Sequence, residues 1–173
     1  TERDHAEAAR IATLAGELLV ELRTRMVGEG APAAMLKHAG DRSAHDLIMQ
    51  ELATAFPDDA VLSEEGADRA ERLQSPRTWI VDPLDGTREF SEHPRADWAV
   101  HVALVVAERV VAGAVALPAM GLTLSTHQPP VLPARREGPP RLIVSRSRPP
   151  AAAMIVAEAL GAELLAMGSA GAK

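Results

Sequence analysis

Residues 79–90 read Trp79-Ile80-Val81-Asp82-Pro83-Leu84-Asp85-Gly86-Thr87-Arg88-Glu89-Phe90, and this stretch decides both the fold and the chemistry of the chain. The short apolar run from Trp79 to Val81 reads as a buried strand. It delivers two carboxylates, Asp82 and Asp85, followed at once by Gly86 and Thr87. Proline has no N–H for a sheet ladder, so the strand is expected to end at Pro83 and the chain to turn there. On one tight turn, Asp82 and Asp85 could share a hard divalent cation. Gly86 leaves room for a ligand beside the backbone, and Thr87 is placed to open a helix. The first N–H groups of a helix are unpaired and sit at the positive end of its dipole, which makes an anion site. Carboxylates for a metal beside a phosphate cradle point to metal-assisted phosphoryl chemistry. The bland alternative is a strand-to-turn junction with surface acids.

Two upstream segments extend this reading. A second short apolar run, Ala60 to Leu62, leads into Ser63-Glu64-Glu65-Gly66, and farther back stands Ala39-Gly40-Asp41-Arg42-Ser43-Ala44. Glu64 is the candidate ligand of the acidic pair, although a solvated acidic turn is the other reading of Glu64 and Glu65. Asp41 also has two readings, a cap on the helix that follows it or a member of the site. Oxygen-only donors at these positions suit Mg²⁺, which is held by one or two carboxylates together with water and phosphate oxygens.

The segment at 79–90 resembles the D-P-[IL]-D-G-T signature of the magnesium-dependent, lithium-sensitive phosphatases related to inositol monophosphatase and fructose-1,6-bisphosphatase. Glu64 stands where that superfamily has a metal-binding Glu, and residues 39–44 resemble its T-x-x-D-x-x-A element. Arg88-Glu89-Phe90 is similar to the T-[KR]-E-F of its 3′-phosphoadenosine 5′-phosphate phosphatase branch, where inositol monophosphatases have Asn in place of Glu89. Ser145-Arg146-Ser147 and Gly168-Ser169-Ala170-Gly171-Ala172-Lys173 are also similar to segments of that branch. The resemblance covers essentially the whole chain.

It implies an α+β fold, a layered α/β/α/β/α sandwich of the sugar and inositol phosphatase type, with its second half incomplete. It also implies that Glu64, Asp82 and the Leu84 carbonyl hold one Mg²⁺, that Asp82 and Asp85 hold a second, and that Asp41 takes part in a third. Thr87 would orient the attacking water with Asp41 as its acceptor, and Gly86 and Thr87 N–H groups would hold the phosphate. Asp85, Ser145, Gly168 and Ser169 would contact substrate. Arg146 and Arg148 could read a nucleotide phosphate or could form a solvated basic loop.

The implied activity is hydrolysis of the 3′-phosphate of adenosine 3′,5′-bisphosphate, which recycles a by-product of sulfate activation. Inositol and fructose phosphates are the competing substrates, and a non-catalytic metal or phosphate-binding piece is the competing class. The family's further W-D-x-A-A element, whose Asp completes one metal site, has no match before Lys173. The chain is therefore expected to be the N-terminal part of a longer enzyme.

Composition agrees with a folded domain rather than a disordered one: 47% of 173 residues are hydrophobic and 24% charged. Aromatic residues make up only 2%, so the core must come from Ala, Val, Leu and Ile. A net charge of −6 argues against a general nucleic-acid or membrane surface. It also means that an anionic substrate needs metal ions to invert the local charge. The absence of cysteine excludes disulfides, zinc thiolates and Cys nucleophiles. The start is too charged for a signal peptide and no apolar run is long enough to span a membrane, so the cytoplasm is the default. A homodimer remains open. All six histidines lack metal-ligand spacing and read as structural or surface residues.

Helical spacing of Ile11, Leu14, Ala15, Leu18, Leu19, Leu22 and Met26 predicts a helix over residues 4–27. A second helix is predicted from about Ser43 to Phe56, stopped by Pro57. Strands are expected at 60–63, 79–82, 98–106, 110–117 and 122–126. The 98–106 strand is apolar on both faces and therefore central. Residues 127–141 hold five prolines and no apolar pattern, a connection between residues 1–126 and a second α/β unit at 142–173. That unit is expected to run strand (142–144), helix (151–160), strand (163–166).

Overall fold

The computed structural model describes residues 1–66, 74–134 and 137–173. Helix α1 (Glu2–Gly28) and helix α2 (Ala33–Ala55) open the chain. Strands β1 (Ala60–Ser63) and β2 (Arg77–Asp85) follow, then the short helix α3 (Thr87–Ser91) and strands β3 (Ala99–Val106), β4 (Arg109–Leu117) and β5 (Leu122–Ser125). These five strands form one sheet in the order β1-β2-β3-β4-β5, with β1 parallel to β2 and the remaining pairs antiparallel. Strands β6 (Arg141–Ser145) and β7 (Glu163–Met167) pair in parallel as a second sheet, joined through helix α4 (Ala151–Leu160). This is the α+β class with helices layered on sheets. The Arg135–Arg136 part of the proline-rich connection lies outside the described residues.

The core forms where α1 and α2 cover the five-stranded sheet. Ile11, Ala15 and Leu19 from α1, Leu36, Ile48 and Leu52 from α2, and Trp79, Val100, Val102 and Leu104 from the strands are sealed from solvent. Burying a side chain of this size contributes roughly 1.5–3 kcal/mol relative to leaving it exposed. The inner face of β3 is the alternation expected from Trp98 onward, and the strand is central, between β2 and β4. The start of α1 is tied to β2 by Arg77, which bonds Asp4 Oδ1 at 2.7 Å and Asp59 Oδ1 at 2.9 Å.

Two predicted boundaries need correction. Helix α2 starts at Ala33, ten residues before the expected Ser43, because Pro32 supplies its entry and Leu36 and Gly40 continue the buried stripe. Asp41 is therefore inside the helix and caps nothing. A Cβ at Gly40 would lie 2.8 Å from Leu84 Cδ2 and from Phe90 Cε1, so this glycine lets α2 pack directly on the 82–90 segment.

Strand β2 does not end at Pro83 either. It runs to Asp85 through an irregularity: Asp82 faces His101 and Asp85 faces Ala99, three steps on β2 against two on β3. The bulge absorbs the proline that a regular ladder would reject.

Candidate active site

The bulge aims the two carboxylates. On a regular strand, residues three apart point to opposite faces. Here Asp82, Asp85 and His101 each place a ligand atom within 4.8 Å of the other two. They line a pocket of about 660 Å³ together with Leu62, Glu64 and Gly66. Burial first, and then the charges of Glu64 and Asp85, push Asp82 up to about 7. Burial and like charge acting together on carboxylates that face one pocket fit a hard divalent cation.

Asp85 behaves in the opposite way. Burial opposes its charge, yet hydrogen bonds from His101, the Gly171 N–H and Ser169 outweigh it and hold the carboxyl at about 2. All three reach Oδ2, with His101 Nε2 at 3.0 Å and Ser169 Oγ and Gly171 N both at 2.7 Å. Asp82 keeps one oxygen on its own turn, where Oδ1 accepts the Leu84 N–H at 3.1 Å.

Gly86 follows with φ of 87°, in the left-handed region that favours glycine. Thr87 then opens α3, as the sequence predicts. Its hydroxyl lies 3.2 Å from Asp41 Oδ1 and 3.1 Å from the Leu84 carbonyl, which both compete for its proton. Asp41 is raised to about 6, chiefly by burial and next by the charge of Glu65. Asp41, Asp82, Leu84, Asp85, Gly86 and Thr87 thus converge. Glu64 sits at the rim of the same pocket, outside the tight group of three but close enough to act on Asp82.

The second sheet enters from the other side. Ser145, Gly168 and Ser169 line an adjoining pocket of about 600 Å³ with Arg88, Arg146 and Lys173. Arg146 is already engaged, at 2.7 Å from both Glu89 Oε1 and Glu92 Oε2, whereas Arg148 is exposed. Glu89 is buried, and a Cβ at Gly168 would fall 2.2 Å from its Cδ, so the glycine makes room for the pair. Asp97, also buried, accepts the Gly168 N–H at 2.6 Å and pairs with Arg95.

His101 and Asp97 are the residues that sequence reasoning missed. His101, read from the sequence as structural or surface, stands directly across from Asp82 on the site face of β3 and lines the pocket. A polar residue on the second face of an otherwise apolar central strand was the signal available.

The family model described as inositol monophosphatase family matches residues 3–138. The chain is similar to a 3′-phosphoadenosine 5′-phosphate phosphatase of Mycobacterium leprae (strain TN), 46% identical over 98% of this chain and 66% of the relative. The protein of the same name from Mycobacterium bovis (strain ATCC BAA-935 / AF2122/97) is 44% identical over 92% of this chain and 62% of the relative. The chain thus spans just under two thirds of the length of these relatives. Among solved structures, the extragenic suppressor protein suhB of Bartonella henselae superposes with a TM-score of 0.72 at 24% identity, covering 95% of this chain and 68% of that one. At that identity the likeness speaks for the fold alone.

Proposed function

The chain belongs to the inositol monophosphatase family, and from that premise we propose that the protein acts as a magnesium-dependent phosphatase on adenosine 3′,5′-bisphosphate, releasing phosphate and leaving AMP. The observation that carries the reading is the gathering of Glu64, Asp82 and Asp85 on one pocket, with the Thr87–Asp41 pair joined to the same turn through the Leu84 carbonyl. The substrate is inferred from the relatives named for this phosphatase, which are 46% and 44% identical to the chain.

Glu64, Asp82, the Leu84 carbonyl and Asp85 would hold Mg²⁺, in two sites sharing Asp82. When bound, such ions neutralise charge on the phosphoryl group and acidify a bound water. The protein's own part is positioning. Thr87 donates its hydroxyl proton toward Asp41 or the Leu84 carbonyl, which leaves its oxygen lone pairs to accept from a water and orient it. The N–H groups of Gly86 and Thr87 at the start of α3 would hold the phosphate, and Ser145, Gly168 and Ser169 would contact the rest of the substrate. Such positioning supplies much of the rate in phosphoryl transfer. Recycling a by-product of sulfate activation in the cytoplasm is the setting that goes with this substrate. The described residues contain no helix long and apolar enough to cross a membrane.

The test is phosphate release from adenosine 3′,5′-bisphosphate, inositol 1-phosphate and fructose 1,6-bisphosphate, each with Mg²⁺, with added Li⁺, and with chelator. We expect the nucleotide to be turned over best, with activity lost in chelator and reduced by Li⁺. Activity that survives metal removal would overturn the metal-dependent reading, and preference for a sugar phosphate would overturn the substrate.

A further inference from the structure

We propose that His101 is the positioning residue of Asp85: with Ser169 and Gly171 it fixes one carboxylate oxygen, so that the other is presented to a divalent cation. This rests on the reading that the Asp82–Asp85 turn binds such a cation. Three donors meet on Oδ2 of Asp85, at 3.0 Å from His101 Nε2, 2.7 Å from Ser169 Oγ and 2.7 Å from the Gly171 N–H. A carboxylate only accepts hydrogen bonds when ionised, so Nε2 carries the hydrogen in this pair. With Oδ2 taken, Oδ1 is the oxygen left for metal.

The three donors are not equivalent. Ser169 and Gly171 come from a loop of the second sheet, whereas His101 sits on β3, within the five-stranded sheet that also carries Asp85. It stands in register with Asp82, across the bulge that turns both acids into the pocket. The imidazole is thus the donor built into the same rigid layer as the metal-binding acids. Partners that orient a metal ligand in this way characteristically tune affinity without touching the ion.

A second observation concerns Gly171. A Cβ there would lie 2.6 Å from both Nε2 and Cε1 of His101, and 3.0 Å from the Ala99 Cβ. The imidazole fills the space that any side chain at 171 would need. Loop and ring are fitted to one another over Asp85, and an alanine at 171 would displace the ring while keeping its own N–H.

The experiment measures Mg²⁺ and Mn²⁺ binding to the metal-stripped protein by calorimetry, alongside KM for adenosine 3′,5′-bisphosphate at saturating Mg²⁺. His101→Leu should weaken metal binding by about tenfold to a hundredfold and leave KM little changed. His101→Gln, which restores an N–H donor, should recover most of the affinity. Gly171→Ala should weaken binding in the same direction although the histidine is retained. Thermal melts of each variant establish that it is folded.

A folded His101→Leu protein that binds metal as the wild type does would overturn the role of His101 alone. So would His101→Gln failing to rescue, or Co²⁺ spectra showing the imidazole as a direct ligand. A wild-type protein that binds no divalent cation would remove this proposal together with the metal-dependent function.

Discussion

The five-stranded and two-stranded sheets are built from the same side chains and meet opposite fates. Trp98, just before β3, and Val100, Val102 and Leu104 on it have no exposure at all. On the second sheet and its helix, Ile155 is 69% exposed and Leu165 36%, while Val144 and Ala157 are buried. Two long helices cover the first sheet, whereas α4 packs mainly on β6. An apolar face is stabilising only when a second layer removes it from water.

What joins the sheets is polar. Arg146 meets Glu89 and Glu92, Asp97 takes the Gly168 N–H, and Ser169 and Gly171 close on Asp85. The first sheet and the α3 region thus supply the acids, and the segments flanking the second sheet add donors to the one that His101 provides from β3.

The largest test of that division is Asp82→Asn. Removing a carboxylate proposed to hold two cations should lower kcat by on the order of a thousandfold or more at saturating Mg²⁺, about 4 kcal/mol of transition-state stabilisation. Glu89→Gln, which weakens only the bridge between the sheets, should cost far less. Steady-state kinetics on both variants decides it, and similar mild losses would show the metal site misplaced.

A matched pair of leucines sharpens the contrast in stability. Leu104→Ala in β3 should destabilise by about 2–5 kcal/mol, the usual range for a sealed leucine that leaves a cavity. Leu165→Ala in β7, at a partly exposed position, should cost well under half of that. Denaturant melts of the two variants check this, and equal losses would mean that the second sheet has a covered core of its own.

A smaller effect than that of Leu104→Ala is expected at the ionic tie between α1 and β2. Asp4 is buried, which opposes its charge, but the Arg77 guanidinium holds its carboxyl far below the ordinary carboxylate value. Because the folded pKa is depressed, the stabilisation is present above the unfolded carboxylate pKa and is lost as pH falls through the folded one. Asp4→Asn should therefore cost about 1–3 kcal/mol at pH 7 and progressively less in acid. Denaturant midpoints at pH 7 and pH 3 would show the difference shrinking, and a gap independent of pH would remove the charge from the explanation.

Much of this was legible in the chain. The order of the elements, the limits of α4 and the central place of β3 follow from local periodicity with Pro and Gly punctuation, and the α+β class was what the family resemblance implied. The two missed boundaries share one cause. Pro83 looked like a strand terminator and Ser43 like a helix start, because local rules do not see the bulge on β2 or the buried stripe of α2 under the 82–90 segment.

By itself, the sequence determined that Asp82, Asp85, Gly86 and Thr87 form one chemical unit, since neighbours along a turn stay neighbours in space. Only the tertiary structure decided what surrounds that unit. Thr87 meets Asp41 across 46 residues, and Ser169 reaches Asp85 across 84. His101 joins them through a strand register that shifts inside the site itself. Contacts at such separations depend on how sheets and helices stack, and that stacking is set by burial of the whole core rather than by any local pattern.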